Sequence, residues 1–275
     1  MRIRYRLARR KERAQTQTRH AQRACRVEMR SKMGKQNRKV LNRDVIKYIA
    51  MITMLLNHIA HIFLPVGTPG CELLEDIGYF TAPTMCYFMV EGYAYTRSKK
   101  KYGLRLLLFA LLSQIPYMMA FDFGNLNMIF TLFFCLLLLT AREKIQNRAV
   151  RGLVCVFLVL LTAFSDWAFF APVFVLLFDR WKGDAKGVLK SYIGCYVFFA
   201  VLNTISYLNN PYGLPEAIIH GALAGVGILV SALMILVFYN GKRAEHGRNF
   251  SKWFFYIFYP GHLLILVLLK MYVFV

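Results

Sequence analysis

The chain has 275 residues, of which 57% are hydrophobic and only 18% are charged. Apolar residues make up roughly 45–50% of ordinary soluble domains. A soluble protein of this size has too little interior to bury so many Phe, Leu and Ile side chains, so the composition excludes a soluble globular domain. It predicts an all-α, polytopic integral membrane protein.

A net charge of +21 on a soluble surface would indicate nucleic-acid binding. Here, however, 17 of the 35 Lys and Arg precede or open the first apolar run, and the later basic clusters occupy every second connection. This alternation follows the positive-inside rule. It predicts a cytoplasmic N-terminus, a lipid bilayer as the partner and no specific nucleic acid. Lys270, near the C-terminus, does not fit the pattern.

In chain order, a basic tail over residues 1–41 lacks apolar periodicity and is predicted to be a disordered cytoplasmic segment. A transmembrane domain over residues 42–275 follows. About 20 apolar residues cross the hydrocarbon core, and we predict about nine transmembrane helices. Their approximate limits are Asp44–Leu64, Ile77–Thr96, Leu104–Ala120, Leu126–Ala141, two short spans meeting at Ser165–Trp167 that could instead form one re-entrant pair, Lys190–Tyr207, Pro215–Tyr239 and Trp253–Tyr272.

His58 is the main candidate for a functional residue, because ionisable groups within spans are costly and usually have a purpose. It lies ~20 Å along the first helix from Asp44, a little beyond mid-membrane. A neutral imidazole exchanges a proton near pH 7, as acyl or proton transfer requires. The alternative is a histidine that only joins two helices by a hydrogen bond. His61 lies on nearly the same face, but no third ligand is evident, so no metal site is predicted.

Three further polar residues fall in or at the ends of predicted spans. His262 lies half-way along the last span, where the adjacent Pro260 is expected to kink the helix. Glu91 could pair with a neighbouring basic residue or with a cationic ligand group. Asp166 could be no more than an interfacial cap. These residues do not distinguish an enzyme, a transporter and a scaffold.

Several short motifs keep a fixed order along the chain. A Met-rich first helix carries His58, and the later motifs are Val90–Arg97 with Lys101 and Tyr102, Ser113–Tyr117, Leu126–Leu132, Asp166–Trp167, Tyr239–Gly241 and Phe258–Leu263. In combination they resemble the TraX family of conjugal-transfer proteins. The likeness extends from about Asn42 to the C-terminus.

TraX-like proteins are associated with N-terminal acetylation of pilin, and the family is similar to the transmembrane acyltransferases that use cytoplasmic acetyl-CoA. The resemblance therefore implies a multi-pass protein of the bacterial cytoplasmic (inner) membrane, with acetyl-CoA as acyl donor and no metal. It implies that His58 is the essential base or acyl-relay residue and that His262, Glu91 and Asp166 line the same cavity.

The resemblance also bears on two neighbouring features of the site. The family pattern has an acid where this chain has Asn57, and an amide can orient an imidazole without raising its basicity. Arg97, Lys101 and Arg105 are expected to attract the phosphates of acetyl-CoA. Positive-inside topology would require such a basic loop in any case.

The leading prediction is a membrane-embedded acyltransferase that acetylates a pilin-like N-terminus or an envelope amine or hydroxyl. One alternative is a proton-coupled transporter in which His58, His61 and His262 relay protons, although the internal repeat common in transporters is not evident. Another is a non-catalytic membrane assembly factor.

Overall fold

The structure, a computed structural model, describes residues 39–121, 124–208 and 213–273, and this part of the chain is helical, as predicted. The basic tail lies outside the described residues apart from its last three positions and stays a prediction. The helices are α1 (Arg43–Phe63), α2 (Pro69–Gly78), α3 (Thr81–Tyr95), α4 (Lys99–Phe121), α5 (Met128–Lys144), α6 (Arg148–Leu161), α7 (Phe170–Arg180), α8 (Ala185–Leu208), α9 (Leu214–Ala224), α10 (Val226–Leu233) and α11 (Arg248–Val273).

Within the described residues, five helical stretches are long and apolar enough to cross a membrane: α1, α4, α8, α11 and the continuous stretch Leu214–Phe238, which contains α9, α10 and a terminal π-helical turn. The chain is thus a multi-pass membrane protein by the length and composition of its helices. The other predicted spans fall on shorter helices. α3, for example, has 15 residues and a length of ~22 Å, less than the ~30 Å hydrocarbon core. The count of nine crossings stays a prediction.

Large apolar side chains cover the outer faces of the long helices. On α4 the exposed positions recur at helical spacing, as they do on α8 and α11; those of α4 are Leu104, Leu108, Leu111, Leu112 and Ile115. An apolar face of this size is unfavourable in water and favourable against lipid. It agrees with a bundle whose solvent is the bilayer.

α2 was not predicted, because the segment after α1 indicated only a turn, with the second span beginning at Ile77. A turn is present at Gly67, which has a φ of 81°, but residues Pro69–Gly78 then form a helix that the sequence did not indicate. Thr68 is its N-cap and accepts a hydrogen bond from the Cys71 N–H (3.4 Å), and Pro69 occupies a favoured first position. The helix is short and carries three acids, so a search for long apolar runs misses it.

The connections at one end of the bundle are rich in basic residues, and those at the other end are not. At the basic end, the start of α1 meets the α10–α11 connection: the Arg43 N–H donates to the Lys242 carbonyl (2.9 Å) and the Ala244 N–H donates to Asp44 Oδ2 (3.0 Å). At the other end, Glu72 of α2 lies 3.0 Å from His220. Lys270, the basic residue that does not fit the positive-inside pattern, also lies at this end. It donates to the Ala120 carbonyl near the C-terminus of α4 (3.3 Å), where a cation is favoured.

Close packing holds α10 against the junction of α2 and α3. A Cβ at Gly227 would lie 2.5 Å from the carbonyl oxygen of Asp76 and 2.7 Å from the backbone nitrogen of Phe80, so only glycine fits. One turn on, the Ser231 hydroxyl meets the Thr84 hydroxyl of α3 at 2.7 Å. These contacts fix the wall of the bundle beside which the candidate site lies.

The α2 acids generate a pH-dependent prediction. Burial, followed by the charges of Glu72 and Glu75, raises the pKa of Asp76 to about 6, with His220 acting in the opposite direction. A carboxyl group whose pKa is raised by folding favours the folded state when protonated and opposes it as pH rises through the folded pKa. Asp76→Asn should therefore be more stable than the wild type at pH 8, by about 1 kcal/mol after allowance for solvent screening. The difference should shrink between pH 7 and pH 4.5.

Thermal unfolding of the two detergent-purified proteins at pH 8, 6 and 4.5 measures the effect. A stability difference that stays constant with pH would contradict the assigned cause.

Candidate functional site

A cavity of about 640 Å³ extends into the bundle along one face of α1. The α1 residues that line it recur every three or four positions; they are Arg43, Asp44, Lys47, Met51, Met54, Asn57 and His58. Since α1 rises ~1.5 Å per residue, this row is ~20 Å long. The cavity therefore reaches from the basic end of the bundle to the depth of His58.

The chemistry of the lining changes along that length. Basic residues of α1, α4, α11 and the connections that precede α4 and α11 surround the outer part; they are Arg43, Lys47, Arg97, Arg105, Arg243, Arg248 and Lys252. The middle is apolar and rich in methionine, with Met51, Met54, Met85 and Met89. At the inner end lie Asn57, His58, Asp166 and Trp167. The cavity thus joins an anion-attracting mouth to a buried histidine.

Two arginines at the mouth have unpaired donors. The Nε atoms of Arg43 and Arg105 are buried and have no hydrogen-bond partner in the part of the chain that the structure describes. Burial and the neighbouring Arg43 also lower the pKa of Arg243, as expected where positive charges are crowded. Buried donors without partners are costly. An anionic ligand would satisfy the two guanidinium groups and offset the repulsion.

A direct hydrogen bond joins His58 to His262. His58 Nδ1 lies 2.8 Å from His262 Nε2, and the two rings are nearly parallel (9°) with centroids 5.0 Å apart. The centroids are farther apart than the nitrogens by about the two ring radii, so the bond lies near the ring planes. Both side chains are buried. The contact connects α1 to α11 in the interior of the bundle.

A second hydrogen bond, made by His262, fixes the tautomers of both histidines. His262 Nδ1 lies 2.7 Å from the Phe258 carbonyl oxygen, which can only accept, so Nδ1 carries the proton. In the neutral ring, His262 Nε2 is then an acceptor, and His58 Nδ1 must be the donor. Two buried charges without a counter-ion would be costly, which favours the neutral pair. The lone pair of His58 therefore resides on Nε2, the position of a general base.

Asp166 lies in the connection between α6 and α7 and lines the inner cavity. Burial raises the pKa of its carboxyl group to about 6. Its backbone is held by α5 and its neighbours: the Asp166 N–H donates to the Leu126 carbonyl (2.8 Å), and the Thr131 hydroxyl donates to the Asp166 carbonyl (2.5 Å). The connection is thereby fixed with its acid at the cavity.

The structure distributes the other predicted site residues between the cavity and its surroundings. Asn57 lines the cavity, but its Nδ2 donates to the Glu75 carbonyl of α2 (3.3 Å), so it holds α2. Glu91 is not among the lining residues; both its carboxylate oxygens accept from the Tyr239 hydroxyl (2.7 and 2.9 Å). Arg97 and Arg105 line the mouth, whereas Lys101 is exposed outside it.

Several lining residues that are distant in the chain were not predicted from the sequence. These are Arg43, Lys47, Arg243, Arg248, Lys252, Tyr256 and Tyr259. For Arg43 and Lys47 the signal was present, because both precede His58 on one helical face. For the α11 residues, the pairing of the last helix with the first could not be read from spacing.

The fold and this cavity define a multi-pass α-helical membrane protein with a deep, partly polar cavity between its helices. The chain belongs to the TraX family: the family model described as TraX protein matches residues 42–270. It is also 30% identical over 239 residues to the "Probable fimbrial assembly protein FimC, serogroup H1" of Dichelobacter nodosus, a match that covers 82% of this chain and 95% of that protein. No solved structure is significantly similar to the chain.

The histidine pair gives a prediction about stability. His262→Leu would leave the His58 Nδ1–H buried without an acceptor, which should destabilise the protein by about 1–3 kcal/mol. His262→Gln offers an amide oxygen and should be less destabilising. Thermal unfolding in detergent measures both, with the exposed His246→Leu as control. Equal stabilities of the Leu and Gln variants would contradict the assigned hydrogen bond.

Proposed function

We propose that the protein is a membrane-embedded acyltransferase that transfers an acetyl group from cytoplasmic acetyl-CoA to an amine or hydroxyl, on a pilin-like N-terminus or another envelope molecule. The observation that carries the proposal is the cavity, which connects a mouth with unpaired arginine donors to His58 and its partner His262. An enzyme of this class needs both features at the two ends of one channel.

The order of chemical groups in acetyl-CoA matches the order of the lining. Phosphates at one end of the donor would bind Arg43, Arg105 and the other basic residues of the mouth. The uncharged pantetheine arm would lie against the methionine side chains, which adapt to irregular shapes. The thioester at the far end would then reach His58.

The imidazole of His58 is the general base in this proposal. Its Nε2 takes the proton of the acceptor amine or hydroxyl as the acceptor nitrogen or oxygen bonds to the acyl carbon. The carbon–sulfur bond then breaks, and the imidazolium returns the proton to the leaving thiolate. The products are the acetylated acceptor and the free thiol, so atoms and electrons balance without a further reactant. His262 holds the His58 ring and fixes its tautomer.

We further propose nine membrane crossings with the N-terminus in the cytoplasm, in the inner membrane of a bacterium. The basic connections that precede α4 and α11 support this orientation, because residues of both line the cavity mouth beside the start of α1. Acetyl-CoA is a cytoplasmic metabolite, so a cytoplasmic mouth places the donor where it is available.

A second candidate is a non-catalytic role in pilus assembly. It is favoured by the name of the Dichelobacter nodosus relative, a fimbrial assembly protein. The two candidates share a pilin-like partner and differ in whether acetyl-CoA turns over.

The first test is acetyl transfer from labelled acetyl-CoA by the detergent-purified protein. His58→Gln should lower turnover by about 10²–10⁴-fold, because general base catalysis is lost. His61→Ala, three residues on and half-exposed, should transfer at the wild-type rate. Wild-type turnover by His58→Gln would exclude the proposed base, and equal losses in both variants would favour a proton relay.

The second test addresses the mouth. Arg105→Gln removes a charged donor and should weaken acetyl-CoA binding by about ten- to a hundredfold, the equivalent of 1.5–3 kcal/mol. Lys186→Gln removes an exposed basic residue outside the cavity and should leave the Kd unchanged. Isothermal titration calorimetry with acetyl-CoA measures both. Equal effects of the two substitutions would indicate general charge attraction instead of a specific contact.

A further inference from the structure

The Tyr259 hydroxyl is a polar group of the cavity that the proposed function leaves unused. Tyr259 is 5% exposed and lines the cavity. Its hydroxyl is buried and makes no hydrogen bond of ordinary geometry within the described residues. A buried tyrosine hydroxyl normally finds a partner. The missing partner points to a ligand atom that accepts a hydrogen bond.

The ring of Tyr259 lies beside the two histidines. Its centroid is 6.1 Å from that of His58 and 5.6 Å from that of His262, and it stands nearly perpendicular to both rings. Tyr259 precedes His262 by three residues on α11, so the same helical turn positions both. A group that reacts at His58 is therefore within the neighbourhood of the hydroxyl.

The N-terminus of a helix also borders the cavity near these residues. Met128, the first residue of α5, lines the cavity together with Tyr259. The Asn127 cap accepts the N–H of Ile129 (3.0 Å) and not that of Met128. The first N–H groups of a helix carry partial positive charge. The N-terminus of the 17-residue helix α5 therefore lies at the same cavity as Tyr259.

We propose that Tyr259 is a catalytic residue whose hydroxyl, supported by the N-terminus of α5, stabilises the oxyanion of the acyl carbonyl. The inference rests on the acyl transfer proposed above. When the acceptor bonds to the acyl carbon, the carbonyl π electrons move to oxygen, and the Tyr259 O–H donates a hydrogen bond to that oxygen without losing its proton. When the carbonyl re-forms, the carbon–sulfur bond breaks and the pair leaves on sulfur. Fixed donors of this kind act mainly on the transition state.

The test is Tyr259→Phe, which removes only the hydroxyl oxygen and its hydrogen. Loss of one oxyanion donor should lower kcat by about 10²–10³-fold. The Kd for acetyl-CoA should stay within about twofold, because the donor acts after binding. The melting temperature should not fall, since the substitution removes a buried polar group that has no partner.

Tyr192→Phe is the matched control, because Tyr192 is fully buried and does not line the cavity, and its hydroxyl lies 3.1 Å from the Ser231 hydroxyl. It should lose stability and keep its kcat, the reverse of the Tyr259 result. Wild-type kcat in Tyr259→Phe would overturn the inference and leave the proposed function standing. A loss of acetyl-CoA binding in Tyr259→Phe would also overturn the inference, because it would mean that the hydroxyl binds the donor before the reaction begins. A wild-type protein that transfers no acetyl group would overturn the proposed function, and this inference with it.

Discussion

The hydrogen bond between His58 and His262 connects residues 204 positions apart and brings the first and last long helices together. In an apolar interior, an imidazole N–H without an acceptor is costly, so each ring limits where the other helix can lie. The Phe258 carbonyl completes the chain by fixing the His262 tautomer. In that rotation of α1, Asn57, Met51 and Met54 face the same cavity. The pairing of α1 with α11 and the direction of the His58 lone pair thus depend on one contact.

Charge is the second organising constraint. A bilayer keeps Lys and Arg at helix ends, and the basic ends of α1, α4 and α11 meet around the mouth of the cavity. Topology places basic residues at this end of the bundle whether or not a ligand binds there. Arg43 and Arg105 differ, since each has a buried donor that remains unpaired in the described structure. A buried, unpaired donor therefore distinguishes the arginines that indicate an anion-binding site from basic residues that membrane topology alone requires.

The site was partly predictable. His58 and His262 stood out because each is an ionisable residue in an apolar run, a property that is local in sequence. Asp166, Arg97 and Arg105 also line the cavity. Glu91 was singled out for the same reason, yet it pairs with Tyr239, a partner 148 residues away. Tyr259 was one aromatic residue among many, and only its unpaired hydroxyl distinguishes it.

The sequence by itself determined the helical class, the membrane as solvent and the family, because hydropathy, the spacing of basic clusters and short motifs are all properties of neighbouring residues. It did not reveal α2, whose ten residues are too short and acidic for an apolar run. Only the tertiary structure decided which helix faces enclose the cavity. That choice depends on helix rotation and pairing, which are set by side-chain packing and by hydrogen bonds between distant residues.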